Sequence, residues 1–119
     1  MRDHKKLRAF ELADKVVVNV YRAVAEFPKE ELYGLTSQIK RAAVSVPSNI
    51  VEGCSRDSQA DYLRFLYISF GSLRELHYQL DLSARLGFLE KSDWFVIEPK
   101  VIETEKVLNG LIRALRDVN

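Results

Sequence analysis

A proline stands in the middle of the most regular helical pattern in this chain. Residues 33–56 read YGLTSQIKRAAVSVPSNIVEGCSR, and around Pro47 apolar residues recur three and four apart at Leu35, Ile39, Ala42, Val46 and Ile50. An interior proline removes one backbone hydrogen bond and costs about 3 kcal/mol in an ordinary helix. A helix keeps such a residue only where packing or side-chain hydrogen bonds offset the loss. This segment therefore demands neighbours.

Three other segments supply matching faces. Residues 7–27 carry Phe10, Ala13, Val17, Val20, Val24 and Phe27 in a heptad-like seam, ended by Pro28. The proline-bearing helix is expected over residues 35–52, with Gly53 in a left-handed position just past its end. A third helix over residues 59–86 has the seam Tyr62, Leu66, Ser69, Leu73, Leu76, Leu80 and Ser83. Ser58 and Asp61 suit its start and Gly87 its end. The fourth begins after Ser92 and runs to residue 116 along Trp94, Ile97, Val101, Thr104, Leu108, Leu111 and Leu115. Gly71 and Gly110, inside helices, are expected to permit close helix approach.

Four helices with short connections predict an all-α protein, an up-down-up-down four-helix bundle in one domain spanning residues 1–119. A chain of this length can bury a core without metal or disulfide. Parts of it are apolar in nearly every direction: Val16, Val17, Val18 and Val20 in the first helix, and Tyr62 to Phe70 in the third. An outer helix of a monomer keeps a polar face. All-round apolarity argues for burial against another subunit, so a homo-oligomer is expected.

The chemistry-bearing residues are sparse. On the second helix Gln38, Arg41, Ser45, Asn49 and Glu52 are spaced three, four, four and three, which puts all five on one side. They read either as a site, with Arg41 an anion ligand, or as a structural polar network that satisfies carbonyls freed by Pro47. Ser69, Ser72, Glu75 and Gln79 of the third helix are its expected partners. The structural reading is preferred.

A di-iron bundle needs Glu three residues before His on two helices, whereas His77 has Arg74 there and the other histidine, His4, lies near the N-terminus. Glu30 and Glu31 read as solvated charge beside a helix start rather than as an acid–base pair. Cys54, the single cysteine, follows a helix C-terminus, where the dipole opposes a thiolate. The serines have no histidine placed to activate them, and the five glycines form no phosphate loop. No metal, cofactor or catalytic residue is implied, and the chain does not read as an enzyme.

Charge adds little. Eighteen Lys and Arg stand against seventeen Asp and Glu, so net charge provides no strong pull toward nucleic acid. Local clusters remain: Arg2, Lys5, Lys6 and Arg8 near the N-terminus, and Lys40, Arg41 and Arg56 about the second helix. Lys5, Lys6, Arg8, Lys40 and Arg56 are the residues for RNA or DNA phosphates if a ring repeats them. The early charges fit no signal peptide and no apolar run nears the roughly 20 residues of a membrane span. With one cysteine, this reads as cytoplasmic.

Several motifs together resemble a known group. They are FP at Phe27 and Pro28, YGL at residues 33–35, QIKRAAVSVPSNIVEG at 38–53, GSLREL at 71–76 and ARLGFL at 84–89. Over residues 7–115 the chain resembles the bacterial ribosomal-RNA intervening-sequence protein family. The resemblance implies a four-helix bundle assembled as a ring, a homopentamer, with no demonstrated activity behind the family name. A related branch includes accessory proteins of diversity-generating retroelements, rings that bind nucleic acid and a reverse transcriptase. Phe10 stands where relatives often have Trp, Phe70 where a basic residue is common, and His77 where a charged residue is usual. With the near-zero net charge, these departures weaken a carry-over of nucleic-acid binding. The expected role is a self-assembling interaction or scaffold protein; the alternative is a nucleic-acid-binding accessory protein acting through repeated basic patches.

Overall fold

Each apolar seam becomes one helix in the computed structural model, which describes residues 2–117. Helices α1 (Arg8–Val24), α2 (Leu35–Cys54), α3 (Gln59–Arg85) and α4 (Lys91–Arg116) follow in order, with short 3-10 turns at His4–Lys6 and Lys29–Glu31. There is no strand among the described residues. Neighbours in sequence pack side by side, and α4 closes the bundle against α1. The up-down-up-down order follows from connections too short to let the chain cross the bundle.

The α3 seam is buried along its whole length, from Tyr62 to Ser83. Ser58 caps this helix, its hydroxyl accepting from the Asp61 backbone N–H, and Gly87 closes the far end at φ +82°, a conformation that L side chains rarely adopt. Glu31 helps start α2 by accepting from the Leu35 N–H at 3.2 Å.

Other expectations need correction. α1 ends at Val24, three residues short of Phe27, though Phe27 is still buried. Its core face is rotated: Ala9 and Val16 are buried with Ala13, Val20 and Val24, while Phe10 and Val17 are half-buried. α4 starts at Lys91 and contains Pro99. Gly53 is no left-handed cap. It lies inside α2, where an added Cβ would come within 3.0 Å of Phe65 Cβ and 3.1 Å of Tyr62 Cδ1, so it serves the close approach of α3. Gly71 and Gly110, expected to serve that purpose, are exposed with nothing within 4 Å of an added Cβ. In α3 the apolar residues divide: Tyr62, Phe65 and Leu66 are buried, Leu63 and Phe70 half-buried, Tyr67 and Ile68 exposed.

Candidate functional site

Pro47 and its surroundings face α3. The Ser69 hydroxyl donates to the Val46 carbonyl at 2.7 Å, and Ser45 Oγ and Ser72 Oγ lie 2.7 Å apart across the interface. Asn49 Nδ2 donates to both Ser45 O at 2.8 Å and Ser45 Oγ at 2.9 Å. Gln79 Nε2 donates to Glu75 Oε2 at 3.1 Å on α3. The carbonyl that Pro47 would have bonded in a regular helix is that of Ala43. The side-chain bonds go instead to the carbonyls of residues 45 and 46.

Beside these bonds runs an open groove of about 320 Å³ lined by Gln38, Arg41, Ala42, Ser45, Ser72 and Glu75. The structure thus brings Ser45, Asn49 and Ser72 into one hydrogen-bonded set, with Glu75 beside it on α3. Gln38 and Arg41 are exposed and form no hydrogen bond or ion pair with a described residue. Glu52 is exposed, 3.8 Å from Arg56. Arg41 departs from the spacing-based expectation because α2 turns that edge of its stripe past the α3 contact and into water. A hydroxyl nucleophile needs a base within hydrogen-bond reach; Ser45 and Ser72 bond each other and an amide, none of which is a base.

The basic residues are not gathered. Lys5 and Lys6 are exposed in the first 3-10 turn, and Arg8 pairs with Glu103 at 2.8 Å. Lys40 lies over the Tyr21 ring, sixteen residues from Arg56 on the α2 side of the bundle and so roughly 24 Å along its axis. Arg56 is joined by Arg2 of the N-terminal cluster and by Arg64, which belongs to no basic cluster in the sequence: Arg2 stacks on Tyr62 at 4.1 Å, and Arg56 and Arg64 stack on Phe65 at 4.7 and 4.5 Å. Acidic groups stand among them, since Asp57 lines the Arg2–Arg56 cleft and Arg64 is 3.6 Å from Asp61.

A third cluster joins α3 and α4. His77 Nδ1 is 2.9 Å from Glu105 Oε2 and its Nε2 is 3.2 Å from Glu98 Oε2, while Arg74 donates to the same Glu105 oxygen at 3.1 Å. Burial from water pulls the His77 pKa down, but its hydrogen bonds to Glu105 and Glu98, with their charges, outweigh that and hold it above the ordinary value. Glu98 and Glu105 are seven residues apart and share a face of α4, a signal visible in sequence that points to His77 only once the helices are docked. No group of three or more His, Cys, Asp or Glu among the described residues could hold a metal ion.

Cys54 is buried at the end of α2, and burial pushes its thiol up, against thiolate chemistry. Burial first, and then Cys54 beside it, pushes the Tyr62 phenol up to about 12.

The family model described as 23S rRNA-intervening sequence protein matches residues 5–110. The chain belongs to that family. The intervening-sequence protein motif QIKRAAVSVPSNIVEG lies wholly within α2, where its Ser45 and Asn49 form the bonds to and beside α3, and its Gly53 admits Phe65. A crystal structure from Bacteroides thetaiotaomicron, a protein with unknown function from the S23 ribosomal protein family, superposes with a TM-score of 0.80 at 23% identity, covering 88% of this chain and 95% of that one. At that identity it establishes the fold alone. No curated protein matches this intervening-sequence protein.

Proposed function

We propose that this intervening-sequence protein is a non-enzymatic, self-assembling interaction protein of the cytoplasm, whose first partner is itself. A closed ring of five copies, the state that the family resemblance implies, is the assembly we favour. The observation that carries this reading is a collection of exposed apolar side chains at one end of the bundle. Leu32 and Tyr33 lie in the α1–α2 connection, Leu86 in the α3–α4 connection, and Phe95 and Val96 in the first two turns of α4. Helices that alternate in direction bring both connections to the same end. Tyr33 and Phe95 are 94% and 85% exposed, and several large apolar side chains exposed toward one end of the bundle support an association surface there. Tyr67 and Ile68 on α3 extend the apolar surface elsewhere.

Light scattering coupled to gel filtration tests the reading. The expected mass is five times that of the 13.7 kDa chain; a monodisperse species near the chain mass at micromolar concentration would sink it.

Nucleic-acid binding is a second reading, favoured by the three arginines stacked on Tyr62 and Phe65 at the end opposite the apolar group. Guanidinium planes held on aromatic rings are ordered before they meet a phosphate. Asp57 and Asp61 among them keep this reading second.

A further inference from the structure

His77 meets two carboxylates from α4, one at each ring nitrogen. An ionised carboxylate only accepts hydrogen bonds, and a neutral imidazole donates from one nitrogen only. With a neutral ring, one of the two contacts sets a nitrogen lone pair against a carboxylate oxygen. Both contacts are satisfied when the ring carries two protons.

The segment that His77 holds has few other ties. Of residues 91–98, which form the first two turns of α4, only Ile97 is buried; Trp94 and Glu98 are half-buried and the rest are exposed. Pro99 follows directly and lacks the backbone N–H that would return to the Phe95 carbonyl. Trp94 sets its ring edgewise to His77, with centroids 5.9 Å apart.

We propose that His77 is a protonation-dependent clasp that holds the first two turns of α4 against α3 and releases them when it loses its proton. The groups facing it are Glu98 and Glu105 from α4, with Arg74, Tyr78 and Asp81 of its own helix around the adjoining cleft. No charged group of α1 or α2 among the described residues lies within hydrogen-bond or ion-pair reach of His77. The contacts of the clasp lie within one chain, and the turns it holds carry Phe95 and Val96 of the proposed association surface.

The direction of the pH effect follows from the raised folded-state pKa. Such a group contributes fully below its unfolded-state pKa, and the contribution is lost as pH rises through the folded-state value. The clasp is therefore closed on the acid side and opens as pH passes a midpoint above the ordinary 6.5.

Trp94 is the single tryptophan, so its emission reads this contact directly. A protonated imidazole quenches a neighbouring indole more than a neutral one does. Titrating the wild-type protein from about pH 5 to about pH 9 should give a rise in emission with a midpoint above 6.5. The rise should vanish in His77→Gln, which cannot take up a proton. Glu98→Gln, at a half-exposed position, should shift the midpoint down. In a Tyr33→Asp, Leu86→Asp background, which puts charge on the proposed association surface and keeps Phe95 in place, chymotrypsin cleavage at Phe95 should accelerate across the same transition, relative to the same background carrying His77→Gln at each pH. A midpoint at or below 6.5, a transition that survives His77→Gln, or an equal cleavage ratio across the range overturns the proposal. If His77→Gln does not fold, the wild-type midpoint and its shift in Glu98→Gln decide alone.

Discussion

The Ser69 hydroxyl of α3 donates to the Val46 carbonyl of α2 at 2.7 Å, one residue before Pro47, and both residues are buried. Replacing Ser69 with Ala removes that bond and should lower stability by about 1 kcal/mol. Ser69→Val should cost more, about 1–3 kcal/mol, because the added methyl groups enter a packed interface. Urea unfolding of the two variants reads both values.

Asn49 and Arg41 share a helix side but not an environment. Asn49→Ala removes two hydrogen bonds at a half-buried position and should cost about 1 kcal/mol. Arg41→Ala, at an exposed position, should stay within about 0.5 kcal/mol of wild type. Thermal melts compare them. A larger loss for Arg41 than for Asn49 would contradict this placement.

Gly53 and Gly71 should respond in opposite directions to the same change. Gly53→Ala drives a Cβ against Phe65 and Tyr62 and should destabilise by about 1–3 kcal/mol. Gly71→Ala meets open space within the subunit and should stabilise the chain by up to about 1 kcal/mol through helix propensity. If Gly71→Ala instead breaks an oligomer, as read by light scattering, a second copy packs on that face of α3.

Phe95→Asp combined with Val96→Asp should reduce assembly without unfolding the bundle. Both side chains are mostly exposed, so the fold loses little, whereas an apolar association surface gains two charges. Circular dichroism should keep its helical signal while the scattering mass falls toward that of the single chain.

Any RNA or DNA affinity should vary little with sequence and fall steeply with salt, since the described residues form no recognisable base-reading element. Fluorescence anisotropy with unrelated oligonucleotides at two salt concentrations checks this. Arg56→Glu should weaken binding, and so should Lys5→Glu with Lys6→Glu, more than Lys40→Glu, which lies toward the other end of α2. Absence of binding even at low salt would remove the nucleic-acid reading.

Four helices, and most of the core along α2 and α3, were legible in the sequence because they depend on local periodicity. Apolar residues three and four apart stack on one helix face whatever the partner is. The start of α3 at Ser58 and the left-handed turn at Gly87 were legible for the same reason, since caps act within a few residues of chain. The rotation of α1 that buries Ala9 and Val16 was not, because two neighbouring faces of that helix are apolar and only docking chooses between them. Docking likewise gave Gly53 a packing role, turned Arg41 outward and set His77 between Glu98 and Glu105. Each depends on the rotation and register of one helix against another, which many side chains determine together. Local pattern decided which residues form helices, and only the packed bundle decided which polar groups meet.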